Sequence, residues 1–105
     1  MCGTFEYMAP EVMFNGRQTK KTDIWALGIL LFELFHDVAP FRGHSMDAVM
    51  TNIKRGILNF DQNLNPMVKN LIVKILVINP MKRPSIENLL EDQLHIKIKS
   101  KKKLG

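Results

Sequence analysis

The stretch Gly3-Thr4-Phe5-Glu6-Tyr7-Met8-Ala9-Pro10-Glu11 decides how this chain is read. Three further runs follow it in order: Asp23-Ile24-Trp25-Ala26-Leu27-Gly28, Ala39-Pro40-Phe41 and Asn79-Pro80-Met81-Lys82-Arg83-Pro84-Ser85. Between them the pattern predicts five helices, over 8–14, 22–36, 45–55, 65–78 and 85–93, and no convincing strand. Pro10 suits the first turn of the first helix, and Asn15-Gly16 marks the loop after it. Thr22 is read as the N-cap of the second helix, with Asp23 complementing the positive end of its dipole. Ser45 and Asp47 start the third, which ends at Gly56. Asn65 and Pro66 start the fourth, and Pro80 is read as stopping it. Ser85 caps the fifth, with Glu87 near its N-terminus.

The second helix carries Ile24, Trp25, Leu27, Ile29, Leu30, Leu31, Phe32, Leu34 and Phe35, too many for one stripe. A helix without a polar face is usually buried on every side, so 22–36 is expected at the centre of the fold. The fourth helix is amphipathic, with Val68, Leu71, Ile72, Ile75 and Leu76 at i, i+3, i+4, i+7 and i+8.

The four runs, in this order and spacing, resemble landmarks of the protein kinase catalytic domain. Gly3 to Glu11 is similar to the end of the activation segment, which closes on Ala-Pro-Glu. Asp23 to Gly28 resembles the start of the central helix of the C-lobe. Pro40-Phe41 resembles the pair after that helix, and Asn79 to Ser85 an element near the domain's end. Gly-Thr-x-x-Tyr before Ala-Pro-Glu looks like the serine/threonine branch, in the manner of aurora, polo and calmodulin-dependent kinases. The resemblance implies a mostly α fold, the distal part of a kinase C-lobe. It covers residues 1–96, leaving 97–105 as a basic tail.

The resemblance also implies roles. Gly3, Thr4, Phe5, Glu6 and Tyr7 would form the loop that receives the substrate residue after the phosphorylated Ser or Thr. Phe5 stands where many relatives carry proline or a small apolar residue, so local substrate preference does not transfer. Thr4 would support the catalytic loop through its hydroxyl; the plainer reading is a turn residue after Gly3. Glu11 and Arg83 would form a buried ion pair, the guanidinium fork matching the carboxylate. Asp23 would receive backbone hydrogen bonds from the catalytic loop, or be only a helix N-terminal charge. Trp25 belongs to the central helix, where Leu30 and Leu34 match anchors of the hydrophobic spine beneath the adenine site. Glu33, a charge inside an apolar helix, matches the position that holds a substrate arginine; the alternative is a glutamate reaching solvent.

Phosphoryl transfer requires a phosphate cradle, metal ions and an aspartate that orients the acceptor hydroxyl. Gly16, Gly28, Gly43 and Gly56 are too scattered for a phosphate loop, and neither His-Arg-Asp nor Asp-Phe-Gly occurs. ATP and Mg2+ are therefore expected in the parent kinase and on no residue of this chain, and no catalytic residue is expected here. The expected partners are protein substrates with Ser or Thr acceptors and the missing N-terminal part of the kinase domain. In kinases the activation-segment motif lies mid-domain and here it begins at residue 3, so a kinase fragment is expected, with an apolar patch of the central helix left facing water. The alternative is a non-catalytic binding module docking partners through the 45–55 helix.

A chain of 105 residues is one domain at most, and 46% hydrophobic content argues against disorder. The longest apolar run, from Ile24, is about half the length a bilayer requires, so no membrane span is expected. One cysteine, Cys2, excludes an internal disulfide framework, and an intracellular site in cytoplasm or nucleus is the default. Lys97, Lys99, Lys101, Lys102 and Lys103 carry the whole positive excess of 15 Lys+Arg over 10 Asp+Glu. The neutral remainder argues against a nucleic-acid-binding domain; the tail itself reads as a solvated end, or as a contact for nucleic acid or anionic lipid. His36, His44 and His95 lack metal-ligand spacing and read as surface or loop residues, and the seven methionines read as core filler.

Overall fold

The structure is a computed structural model and describes residues 5–92. A 3-10 turn over Phe5–Tyr7 leads into α1 (Pro10–Asn15), α2 (Lys20–His36), α3 (Met46–Arg55) and α4 (Pro66–Ile75). A second 3-10 turn covers Pro80–Lys82, and α5 covers 86–92. There is no strand among the described residues. Residue 93, Gly3, Thr4, Cys2, His95 and the lysine tail lie outside them.

Local chemistry sets most boundaries. Ser45 Oγ accepts the Ala48 N–H, and Asn65 Oδ1 accepts the Met67 N–H with Pro66 in the first helical position. Ser85 Oγ accepts the Asn88 N–H at the start of α5. Gly56 ends α3 at φ +65°, where a side chain would be strained.

Three expectations fail on long-range grounds. The cap of α2 is Thr19, not Thr22: Thr19 accepts the Lys21 N–H, and Thr22 bonds back to the Thr19 N–H in a reciprocal box. Thr22 is needed elsewhere, because its hydroxyl also donates to Glu11. α4 ends at Ile75 rather than 78, well before Pro80. The carbonyls of Val77 and Ile78 instead turn to the Arg83 guanidinium. Nor is α2 buried on every side. Ile24, Trp25, Gly28, Ile29 and Phe32 are buried, but Leu30 is 58% exposed and Leu34 73%. The expected bare patch lies here, joined by Phe35.

Two clusters form the core. Ala9, Trp25, Ile29, Phe41, Val49 and Ile53 pack together, with Trp25 and Phe41 stacked at 6.0 Å. Ile24, Ile75 and Leu89 form the second, where α2 meets α4 and α5. Of the methionines, Met13 packs against the first cluster and Met8 and Met50 are half-buried, whereas Met46, Met67 and Met81 are exposed, so the core-filler reading holds for only part of them. His36 is no loose surface residue either. Its Nδ1 faces the Phe32 carbonyl, its Nε2 accepts the Asp61 N–H, and its ring stacks on Phe32 at 3.9 Å.

Candidate functional site

Glu11 sits in the first turn of α1, and Arg83 follows the second 3-10 turn. Arg83 Nη2 donates to Glu11 Oε1 and Nη1 to Oε2, each at 2.7 Å, a two-pronged match of fork to carboxylate. The other guanidinium N–H groups reach the carbonyls of Val77 (2.7 Å), Ile78 (3.1 Å) and Lys21 (2.9 Å). All five donors are therefore satisfied, which is the condition for keeping this cation 98% buried. The Trp25 ring lies against the guanidinium at 5.0 Å. Thr22 completes the carboxylate's shell with a 2.8 Å bond to Oε2.

Burial pushes the Glu11 carboxyl upward. Its bonds from Arg83, from its own backbone N–H and from Thr22, with the charge of Arg83, outweigh that and hold it below the usual glutamate value near 4.5. A carboxylate whose pKa is lowered by folding stabilises the fold above its unfolded pKa. That contribution is lost as pH falls through the lowered folded value. Thermal midpoints measured from pH 7 to 3 should therefore fall below about pH 4.5 in the native chain. The gap between the native chain and Glu11→Gln should narrow over the same interval; a gap that is independent of pH would contradict the ionised pair.

A second group forms around the N-terminal turn. Glu6 Oε2 accepts the Gly43 N–H at 3.0 Å, pinning the turn to the loop before α3. Tyr7 donates its phenol O–H to Glu33 Oε2 at 2.5 Å. This bond, then desolvation and the negative charges of Glu33 and Glu6, raises the Tyr7 phenol above its ordinary 10.0. Glu33 thus bonds a tyrosine 26 residues away, a partner neither sequence reading supplied. Its Oε1 carries no bond among the described residues. Glu33 shares an open cleft with Leu30, Leu34 and Asp37, the last ending α2 in the left-handed region at φ +61°.

The expected residues therefore fall into two groups. Glu11, Arg83 and Trp25 meet at one centre, and Glu6, Tyr7 and Glu33 at another. Leu30 and Leu34 border the second group. Asp23 stands apart, exposed in the first turn of α2, ten residues or about 15 Å along the helix from Glu33. Sequence reasoning missed Thr22 and Lys21 at the ion pair, where Lys21 Nζ bonds the Arg83 carbonyl. No local signal marks a helix carbonyl or hydroxyl as a partner for a distant arginine.

The sequence model of the protein kinase domain matches residues 1–95. The chain belongs to the protein kinase family. It is 34% identical over 92 residues to mouse "Inactive serine/threonine-protein kinase PLK5", covering 88% of this chain and 16% of that protein. It is 35% identical over 86 residues to an "Aurora kinase" of Candida glabrata, covering 82% of this chain and 24% of that one. Human "Ribosomal protein S6 kinase alpha-3" is 38% identical over 82 residues, 78% of this chain and 11% of the relative. The solved "Twitchin kinase region from C.elegans" superposes with a TM-score of 0.73 at 32% identity, over 85% of this chain and 16% of that one. This kinase chain thus spans between a tenth and a quarter of the length of these relatives. It corresponds to part of a serine/threonine protein kinase domain, the distal C-lobe.

The residues present do not fit Mg-ATP. Among the described residues no three His, Cys, Asp or Glu side chains gather where they could hold a metal ion. The glycines of the sequence are scattered, and the phosphate-handling motifs do not occur in it. Among the described residues no helix is long and apolar enough to cross a membrane.

Proposed function

We propose that this chain is the substrate-side and supporting part of a serine/threonine kinase whose whole transfers the ATP γ-phosphate to protein Ser or Thr hydroxyls. ATP and Mg2+ belong to the complete kinase and its catalytic loop. Residues 1–96 form the kinase portion, and 97–105 a basic appendage. Gly3 to Tyr7 shape the pocket for the residue after the acceptor, with Thr4 supporting the catalytic loop. Glu11 and Arg83 brace that segment from below. Asp23, Leu30 and Leu34 are the faces on which the catalytic loop and spine rest. The setting is intracellular.

The observation that carries this reading is the Tyr7–Glu33 bond beside an open cleft. It fixes a carboxylate next to the substrate loop while leaving Oε1 to accept from a substrate arginine. The test is peptide phosphorylation by the complete kinase. Peptides with an arginine upstream of the acceptor should be preferred, and Glu33→Gln should raise their KM at least about tenfold, the cost of one charge-assisted hydrogen bond. Peptides lacking that arginine should be unaffected, since glutamine still accepts from Tyr7. Equal kcat/KM for both peptide sets in the native kinase would overturn the arginine role.

A further inference from the structure

The loop between α2 and α3 is held from two sides at Arg42 and Gly43. Asn52, half-buried on α3, donates its side-chain amide to the Arg42 carbonyl at 2.6 Å. Gly43 gives its N–H to Glu6, and a Cβ there would lie 2.8 Å from Ala48 Cβ, so the loop presses on the start of α3. These contacts fix the backbone at Arg42, while the residue itself is exposed. It lines an open cavity of about 330 Å³ that extends to the end of α3 and the chain after it. Arg55, in the last turn of α3, lines the same cavity, with Asn52 and Asn59 adding amide groups and Pro40 and Ile57 apolar surface. No Asp or Glu lines it, and neither arginine is in an ion pair among the described residues.

A basic residue at a helix C-terminus is explained by the helix dipole alone. That accounts for Arg55 but not for Arg42, which comes from an anchored loop. Two guanidinium groups without a carboxylate among their neighbours call for an anion. The asparagine amides both donate and accept, which suits the N–H and C=O groups of a peptide backbone. Ile57 is 63% exposed and offers a surface on which an apolar side chain can be buried. A phosphate dianion fits less well, because the negative end of the α3 dipole lies here and penalises it more than a single carboxylate. A nucleic acid would need a wider basic face than two arginines. We propose that this cavity docks an acidic segment of a partner protein, in which a glutamate or aspartate side chain lies beside an apolar one. Arg42 and Arg55 take the carboxylate, and the apolar neighbour rests on Pro40 and Ile57. The site shares no residue with the Tyr7–Glu33 group and does not depend on the arginine role given to Glu33.

The test titrates the 15N-labelled full chain with a short peptide alternating leucine and glutamate, and follows the backbone amides. Shifts should saturate at 41–43 and 52–59, with a midpoint below about 0.5 mM. The same peptide with glutamine for glutamate should bind at least about tenfold more weakly. A similar loss, about tenfold, is expected for the glutamate peptide on Arg42→Gln with Arg55→Gln. Both positions are exposed, and Asn52 bonds the backbone of Arg42 rather than its side chain, so the fold does not need either guanidinium. The proposal is overturned if the amides of 41–43 and 52–59 stay put up to about 5 mM peptide. Equal affinity for the glutamate and glutamine peptides overturns it too. So do shifts confined to 30–38 or to 97–103, which would place the peptide on the exposed face of α2 or on the lysine tail. Tighter binding at the same amides by a peptide with phosphoserine for glutamate would overturn the carboxylate assignment and make this a phosphate site.

Discussion

Glu11→Ala should destabilise the folded chain by about 3–5 kcal/mol, the largest effect expected of any single substitution in this fold. The size follows from what is left behind. Arg83 is 98% buried, and with the carboxylate gone two of its five donors lose their acceptor. Thr22 loses its acceptor as well. The guanidinium cannot escape by deprotonating, since its pKa lies far above any working pH. It must stay as an unpaired buried charge or drag Val77, Ile78 and Lys21 toward solvent with it. Single domains are stable by only about 5–15 kcal/mol, so this loss consumes much of the total. Urea unfolding midpoints would measure it. Replacing both partners together, Glu11→Leu with Arg83→Met, should cost clearly less than Glu11→Ala alone, because no charge is stranded. A Glu11→Ala chain as stable as the native one would mean the pair contributes nothing.

Gly28→Val should cost up to about 3 kcal/mol by overpacking, and it should act on a different contact. A Cβ at position 28 would lie 2.5 Å from Ile75 Cγ2 and 2.8 Å from Leu76 Cδ2. Gly28 is where α2 lets the end of α4 approach this closely. Ile75 is wholly buried and branched at its β-carbon, so its methyl has few rotamers into which to retreat. Gly28→Ala should cost less, since its single methyl is partly offset by alanine's better helix propensity. The same unfolding experiment orders the series: native, then Gly28→Ala, then Gly28→Val. A Gly28→Val chain with an unchanged midpoint would mean the helices part without penalty.

Legibility in the sequence tracked the range of each interaction. The starts of α3, α4 and α5 and the glycine stop of α3 were readable because each depends on residues within about one turn. The choice between Thr19 and Thr22 was not readable. Both can cap, and the tie is broken by Glu11, eight residues from one and eleven from the other. The early end of α4 was hidden for the same reason: Arg83 draws the carbonyls of Val77 and Ile78 out of the helical ladder. The buried face of α2 was visible as apolar residues, but the exposure of Leu30 and Leu34 depends on which neighbours fill the remaining sides. Glu11 and Arg83 were named through their motifs, whereas the Tyr7–Glu33 bond arises from the orientation of the Phe5–Tyr7 turn against α2.

The Glu11–Arg83 clasp joins positions 72 apart. The caps of α2, α3 and α4 close over a few residues, and the docking of α2 on α4 shortens the loop that the clasp must close. The clasp is therefore expected to close late in folding, after the helices have formed and α2 has found α4. Interactions absent from the transition state govern how fast a protein comes apart rather than how fast it assembles. Loss of the clasp would shorten the lifetime of the native state and leave the refolding rate nearly untouched. In that sense the pair works as a kinetic latch.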